Sequence, residues 1–453
     1  MTANLRTKIT TWLKENDLRS QILKGSASSL IIQVVFAGLS FLTSVIMARF
    51  LGADGYGTFN NATAWVQILV PLASLGFGVL IVRDVAILRS QRNWETLKGF
   101  LRFSDQLVLG VSLFLIVVVF FLAKILFAAP EKALLQQTLL LATVLIPLYT
   151  LSNMRQSTIR GYEHIAHAML PDMVIRPVSI LVLLVILHFI LPGGLTVQVA
   201  VLVSIAAAIF SLITGTVWQR RFSPPAIFTV KPKYTIKVWF KAALPMMIYS
   251  AFQIIQARVS LVMLGAQSTA DNVGYFSAAY NLAYLLVFFP TAVSYVMGPI
   301  SARLFAAGEK AQLQQSLTQT VRVAFLLSLL LGLILVFGRN LILSIFGPDF
   351  ISAQVVLIVL CLGNLIDIAL GNSAVLLSMT GHEKIVALFF LLSTALNVGL
   401  NLFWIPLYGL NGAVYSAFVS LIFSKVGLCL FAIKNLNLDP TILGRSYRKM
   451  NGK

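Results

Sequence analysis

Residues 107–127 read LVLGVSLFLIVVVFFLAKILF, with Lys124 as the single charge. A hydrocarbon layer about 30 Å thick takes roughly 20 apolar residues of helix to cross, and this stretch supplies them without a break. The pattern recurs on both sides. Reading by apolar length places spans at Ser26–Phe50, Ala62–Ile81, Leu107–Phe127, Leu134–Leu151, Val174–Leu191 and Val197–Trp218. After a basic connection, further spans follow at Ala242–Leu264, Phe276–Ile300, Val323–Phe346, Val355–Leu377, Ile385–Ile405 and Gly412–Ile433. The reading predicts an all-α, polytopic membrane protein of about 12 transmembrane helices. Composition agrees, since 58% of the 453 residues are hydrophobic and 11% charged, against about 25% charged in soluble domains.

The net charge of +19 would suggest nucleic acid as the partner of a soluble protein. Here the basic residues sit in short connections between apolar runs, where they set orientation, so nucleic-acid binding is not expected. Of the 34 basic residues, 28 fall on alternate connections and the two termini, which places those regions and both termini in the cytoplasm. The remaining six are Arg49, Lys124, Lys132, Arg258, Arg339 and Lys425. Residues 1–25 lack a secretory core and cleavage site. Their interleaved Ile9, Trp12, Leu13, Arg6, Lys8 and Lys14 read as an interfacial amphipathic helix. Cys361 and Cys429 both lie in apolar spans, so no disulfide framework is expected.

The connection 219–241 carries six basic residues and no acidic one, and Pro224-Pro225 breaks helix continuity. It divides the chain into 26–218 and 242–433, with a basic tail at 434–453. An internal repeat supports the division. Leu51-Gly52-Ala53 is followed by Tyr56-Gly57 and Pro71, and Leu264-Gly265-Ala266 by Gly274-Tyr275 and Pro290. Six helices per half start both halves on the same side, giving a parallel repeat of two six-helix bundles around a central cavity. The paired prolines are either packing kinks or bends between transport states.

Charges inside spans cost roughly 2.5–3.5 kcal/mol each and require a partner, a wet cavity or an escape to the interface. Asp367 and Lys425 fall at nearly equal depth and could pair, either to fix helix register or to couple protonation of Asp367 to a transport cycle. Arg258 is deep in its span. Arg49 lies nearer the outer face, where it either snorkels or joins Arg258 in lining a cleft suited to phosphate. Arg83, Asp84, Asp105, Arg155, Asp172, Arg176 and Arg322 cluster at cytoplasmic span ends, as boundary charge or as a gate for an anionic headgroup. His164, His167, His188 and His382 have no companions at metal-ligand spacing, and no phosphate-binding glycine loop is present. No metal or cofactor is expected. The lack of long extramembrane connections argues against a membrane glycan polymerase, ligase or acyltransferase.

The stretch from Ser26 to Ala86 holds Ala48-Arg49-Phe50-Leu51-Gly52, Tyr56-Gly57, Leu75-Gly76-Phe77-Gly78 and Arg83-Asp84-Val85-Ala86. It resembles the Wzx-type polysaccharide transporters, the O-antigen flippases of the multidrug, oligosaccharidyl-lipid and polysaccharide exporter superfamily. The resemblance implies a MATE-like fold and a flippase rather than an enzyme. Such a protein would move an undecaprenyl-pyrophosphate-linked oligosaccharide to the outer leaflet of the bacterial inner membrane by alternating access. Coupling to H+ or Na+ and polymerase and chain-length proteins as partners are further implications. Arg49, Arg258 and Lys425 then become candidate cavity cations. A drug or cation antiporter on the same fold is the alternative, and it would be expected to carry an acidic cleft.

Overall fold

The computed structural model describes residues 18–191, 194–291, 293, 297, 301, 304, 305 and 307–444, without the side chains of 18–30, 245 and 248–250. Most of the amphipathic segment expected at 1–25, and the tail beyond 444, lie outside these. The described residues form helices and connections, with no strand among them.

The first helix, α1 (Leu18–Ser74), runs for 57 residues, which at 1.5 Å each is far more than one bilayer thickness. It is two crossings folded at Gly52, whose φ of 68° and ψ of −179° leave the helical region. The Ser44 and Tyr56 hydroxyls are hydrogen-bonded although 12 residues apart, a separation of about 18 Å on a straight helix. The outer connection expected at 51–61 is therefore a glycine bend, and the second arm is helical from Ala53. That arm ends at Ser74. Leu75 and Gly76 adopt φ of 46° and 77°, and α2 (Phe77–Ser90) follows, so the span expected at Ala62–Ile81 is two helices. Glycine is required at 76 because a Cβ there would stand 2.3 Å from the Ala243 carbonyl.

Next come α3 (Trp94–Leu126), α4 (Ala133–Ala142), α5 (Leu145–Gly161) and α6 (Ile165–Leu170). A π turn, Pro171–Ile175, joins α6 to α7 (Arg176–Ile190) as one 26-residue crossing. The sequence reading began that span at Val174 and left Asp172 and Arg176 at its boundary. The wide turn absorbs Pro171, the helix continues, and both charges lie inside the crossing. After α8 (Val197–Phe222) and the short α9 (Ala226–Thr229), α10 (Ile236–Gln267) starts within the expected linker and carries Lys237 and Lys241 on its first turns.

The second half continues with α11 (Ala270–Tyr284), α12 (Lys310–Phe337), α13 (Arg339–Ser344), α14 (Gln354–Ala369), α15 (Ser373–Met379), α16 (Glu383–Tyr408) and α17 (Leu410–Phe431). The span expected at Val355–Leu377 is broken at Gly371, where φ is 73° and a Cβ would meet the Pro440 carbonyl at 1.9 Å. Ten helical stretches among the described residues are long and apolar enough to cross a membrane. The first of these is the folded α1, and α10 adds a 32-residue helix, in line with about twelve crossings. Phe189, Phe337 and Ile125, exposed by 82, 79 and 73%, face where lipid tails would be.

The repeated glycines form a close contact between the two halves on the far face, away from the basic connections. A Cβ on Gly57 would lie 1.8 Å from the Ala270 carbonyl, and one on Gly274 would lie 2.3 Å from that of Ala53. Asn61 Nδ2 donates to Leu261 O at 2.9 Å, directly beside Gly265. On the basic face, Trp239 of α10 packs with Phe100 and Phe103 of α3, at centroid distances of 5.1 and 5.6 Å.

Candidate functional site

Between the close far-face contact and the basic face lies a cavity of about 950 Å³. The first half supplies Gln67 from α1, Arg83 from α2, Asn153 and Arg160 from α5, and Asp172 and Arg176 around the π turn, while α10 supplies Gln253 and Arg258. Among the described residues, four arginines and one carboxylate line it, so the cavity is cationic. Its carboxylate is well held. Asp172 accepts from the Ser152 and Ser211 hydroxyls at 3.1 and 2.5 Å and from the Gln156 amide, and it lies 3.5 Å from Arg176 Nη1. Arg176 also sits over the Tyr149 ring, 4.6 Å from its centroid.

Arg258 lies nine residues before the end of α10, about 14 Å of helix rise from that terminus. No carboxylate among the described residues comes within ion-pair distance of it. Its guanidinium lies 5.2 Å from the Tyr280 centroid, a cation–π placement that orients the group while leaving its fork of donors available. Arg258 also lines a smaller polar pocket of about 130 Å³ with Asn60, Thr63, Gln67 and Asn281. Arg83 is half-exposed and donates to Asp84 Oδ1 at 2.8 Å.

Lys425 and Asp367 are brought together, Nζ to Oδ1 at 2.7 Å, in a cavity of about 510 Å³ inside the second half that adjoins the central one through Gln253 and Ile254, which line both. Lys425 is thus a paired charge outside the central cavity. Around it runs a buried amide and hydroxyl network. Gln256 donates to Ser393 Oγ at 2.7 Å, Ser260 to Asn397 Oδ1 at 3.0 Å, and Asn397 to Ser420 Oγ at 2.7 Å. Single polar residues in apolar spans carry this pattern, and the four-residue spacings Gln256/Ser260 and Asn397/Asn401 are the signal that would have revealed it.

Three sequence candidates lie elsewhere. Arg49 is exposed and donates to Ile345 O at 2.6 Å. It is within one turn of the Gly52 bend, so its side chain emerges at the far face instead of the cleft. Arg155 is on the side of α5 away from Tyr149 and Asn153 and pairs with Asp105 at 2.8 Å. Arg322 holds the C-terminal segment through Ile442 O and Leu443 O at 2.9 and 3.2 Å. Arg160, Asn153, Gln67 and Gln253 line the cavity and were not singled out by the sequence reading.

A family model described as polysaccharide biosynthesis protein matches residues 22–305, well over half of the chain. The chain belongs to that family. A second model, MatE, matches residues 242–403. A probable low-salt glycan biosynthesis flippase of Haloferax volcanii is 24% identical over 226 residues, and the match spans 47% of the chain and 46% of the relative, about half of each. Among solved structures, an inward-facing multidrug resistance MATE family transporter of the MOP superfamily superposes with a TM-score of 0.70 at 16% identity, over 90% of this chain and 98% of its own. The lipid II flippase MurJ, in an inward closed conformation, gives 0.69 at 16% identity over 89% and 87%. These likenesses establish the fold of that superfamily.

A mainly apolar cavity of about 280 Å³ opens between the first arm of α1 and the end of α11, lined by Phe36, Phe41, Met173, Leu285 and Phe288, with Gln33, Ser40, Asn281 and Thr291 as its polar members. Phe36 is shared with the central cavity, so the polar chamber and the apolar side pocket adjoin.

Proposed function

We propose that the chain is a flippase that carries an undecaprenyl-pyrophosphate-linked oligosaccharide from the cytoplasmic to the outer leaflet of a bacterial inner membrane. It would do so by alternating access, supplying the assembly of O-antigen, capsule or exopolysaccharide. The observation that carries this reading is the 950 Å³ chamber with Arg83, Arg160, Arg176 and Arg258 against the single Asp172.

A pyrophosphate and a set of sugar hydroxyls cannot enter hydrocarbon without losing their hydration. Arginine forks replace that hydration at phosphate with charge-assisted pairs, while the amides of Gln67, Asn153 and Gln253 offer donors and acceptors to hydroxyls. The apolar pocket beside Phe36 gives the polyprenyl chain a route that keeps it in lipid. Family membership and the partial match to a glycan flippase support the same substrate class. A cation antiporter is disfavoured by the sign of the chamber. The deep carboxylate Asp367, paired to Lys425, is proposed as the candidate coupling group, with an ion pair that fixes helix register as the alternative.

The test is reconstitution of the purified chain in liposomes with a fluorescent polyprenyl-pyrophosphate oligosaccharide, scoring headgroup accessibility to an impermeant quencher. Faster equilibration between leaflets than in protein-free liposomes is expected. Equal rates, or transport of cationic drugs in place of the lipid, would refute the proposal.

A further inference from the structure

The basic connections also build a pocket that shares no lining residue with the central cavity. About 280 Å³ in volume, it lies where the basic-face ends of α3, α5 and α8 meet α9, and Lys98, Arg102, Arg155 and Arg220 line it with one carboxylate, Asp105. That carboxylate is committed to the protein. Arg155 Nη1 donates to its two oxygens at 2.8 and 3.0 Å and to Gln219 Oε1 at 3.2 Å. Lys98 is fixed too, its Nζ donating to Phe228 O and Val230 O at 2.9 and 2.7 Å, which pins α9 as the rim of the pocket.

Arg102 and Arg220 are different. Both are exposed, and no ion pair to either exists among the described residues. Arg102 shares a helix face with Lys98, four residues before it. Their depth is that of lipid headgroups, since Lys98 and Arg102 occupy the opening turns of α3 and Arg220 the last turn of α8. Phe228, 56% exposed, adds an apolar edge to a pocket whose uncompensated charge is positive.

We infer that this pocket binds the phosphate of an anionic phospholipid of the basic-face leaflet, with the lipid's glycerol and first methylenes against Phe228. The substrate's pyrophosphate has the same chemistry but a different path. Tyr149, Asn153 and Arg160 of α5 face the chamber, whereas Arg155 faces the opposite way into this pocket, so a headgroup in transit does not pass it. A lipid held here would clamp α9, and with it the connection between the halves, against α3 and α8.

The test is lipid titration of the full chain, purified and delipidated in detergent, followed by native mass spectrometry with phosphatidylglycerol, phosphatidylcholine and a polyprenyl pyrophosphate. Each basic residue at the headgroup level contributes about fivefold to affinity. R102Q/R220Q is therefore expected to weaken phosphatidylglycerol binding by roughly thirtyfold and to leave polyprenyl pyrophosphate binding unchanged. R102K/R220K, which keeps the charge, should stay near wild type, as should R49Q at the far face. Unchanged phosphatidylglycerol affinity in R102Q/R220Q would overturn the inference. Loss of polyprenyl pyrophosphate binding in its place would overturn the choice of lipid.

Discussion

Replacing Asp367 by asparagine leaves the Lys425 ammonium without its counter-charge. The pair is 2.7 Å apart, with side chains 20 and 18% exposed, and it faces a cavity inside the second half. Removing one partner of a fully buried pair costs about 3–5 kcal/mol. One-fifth exposure and a cavity able to admit water reduce this to about 2–3 kcal/mol. D367N should therefore melt well below wild type in detergent. D367N/K425M, which removes the stranded charge, should recover most of the loss, because a neutral pair of similar volume is close to isoenergetic with the ion pair. A double-mutant cycle on thermal unfolding measures the coupling. If D367N unfolds like wild type, or if the double variant is no more stable than the single one, the electrostatic account of this pair is wrong. Transport then separates its two roles. A double variant that is stable and active assigns the pair to architecture, and one that is stable but inactive assigns Asp367 to proton coupling.

Other outcomes follow from the same geometry. G57A would put a Cβ 1.8 Å from the Ala270 carbonyl, so α1 and α11 must part, at a cost of about 1–3 kcal/mol to the far-face-closed state. Spin labels across that face should report a population shift to longer distances, and an unchanged distribution would contradict the glycine contact. D172N removes the carboxylate that receives Ser152, Ser211 and Gln156 and flanks Arg176. It should lower stability by about 2–4 kcal/mol, read as an earlier thermal transition, whereas S152A alone should cost about 1 kcal/mol. Cys361 and Cys429, 0 and 3% exposed, should resist maleimide in the folded protein and react only on unfolding; rapid labelling of the native chain would show that their helices open.

The approximate number of the crossings was legible because apolar length depends on residue type alone. Breaks within crossings were harder to see. Gly52, Gly76 and Gly371 each take a positive φ, but a glycine in an apolar run reads equally as a packing residue, and only the Ala243 and Pro440 carbonyls beside Gly76 and Gly371 reveal why no side chain fits. The crossing expected to begin at Val174 starts earlier, because the π turn carries the helix through Pro171. Of the charges, Arg258 and the Asp367–Lys425 pair could be placed by depth, since an ionised group in a span must find a cavity or a partner. Arg49 could not, because its destination depends on the bend three residues later. Arg160 and the amides of Gln67, Asn153 and Gln253 stayed hidden because each is an ordinary polar residue until two halves close around it.

The central claim is that the arginine chamber between the halves moves a phosphorylated headgroup across the membrane, and Arg258 is its most direct probe. Loss of one charge-assisted contact to phosphate costs about 1.5–3 kcal/mol. In the liposome assay with polyprenyl-pyrophosphate oligosaccharide, R258Q should flip the lipid roughly 10- to 100-fold more slowly than wild type at equal folded protein, with R258K in between. Wild-type rates in R258Q would contradict the account.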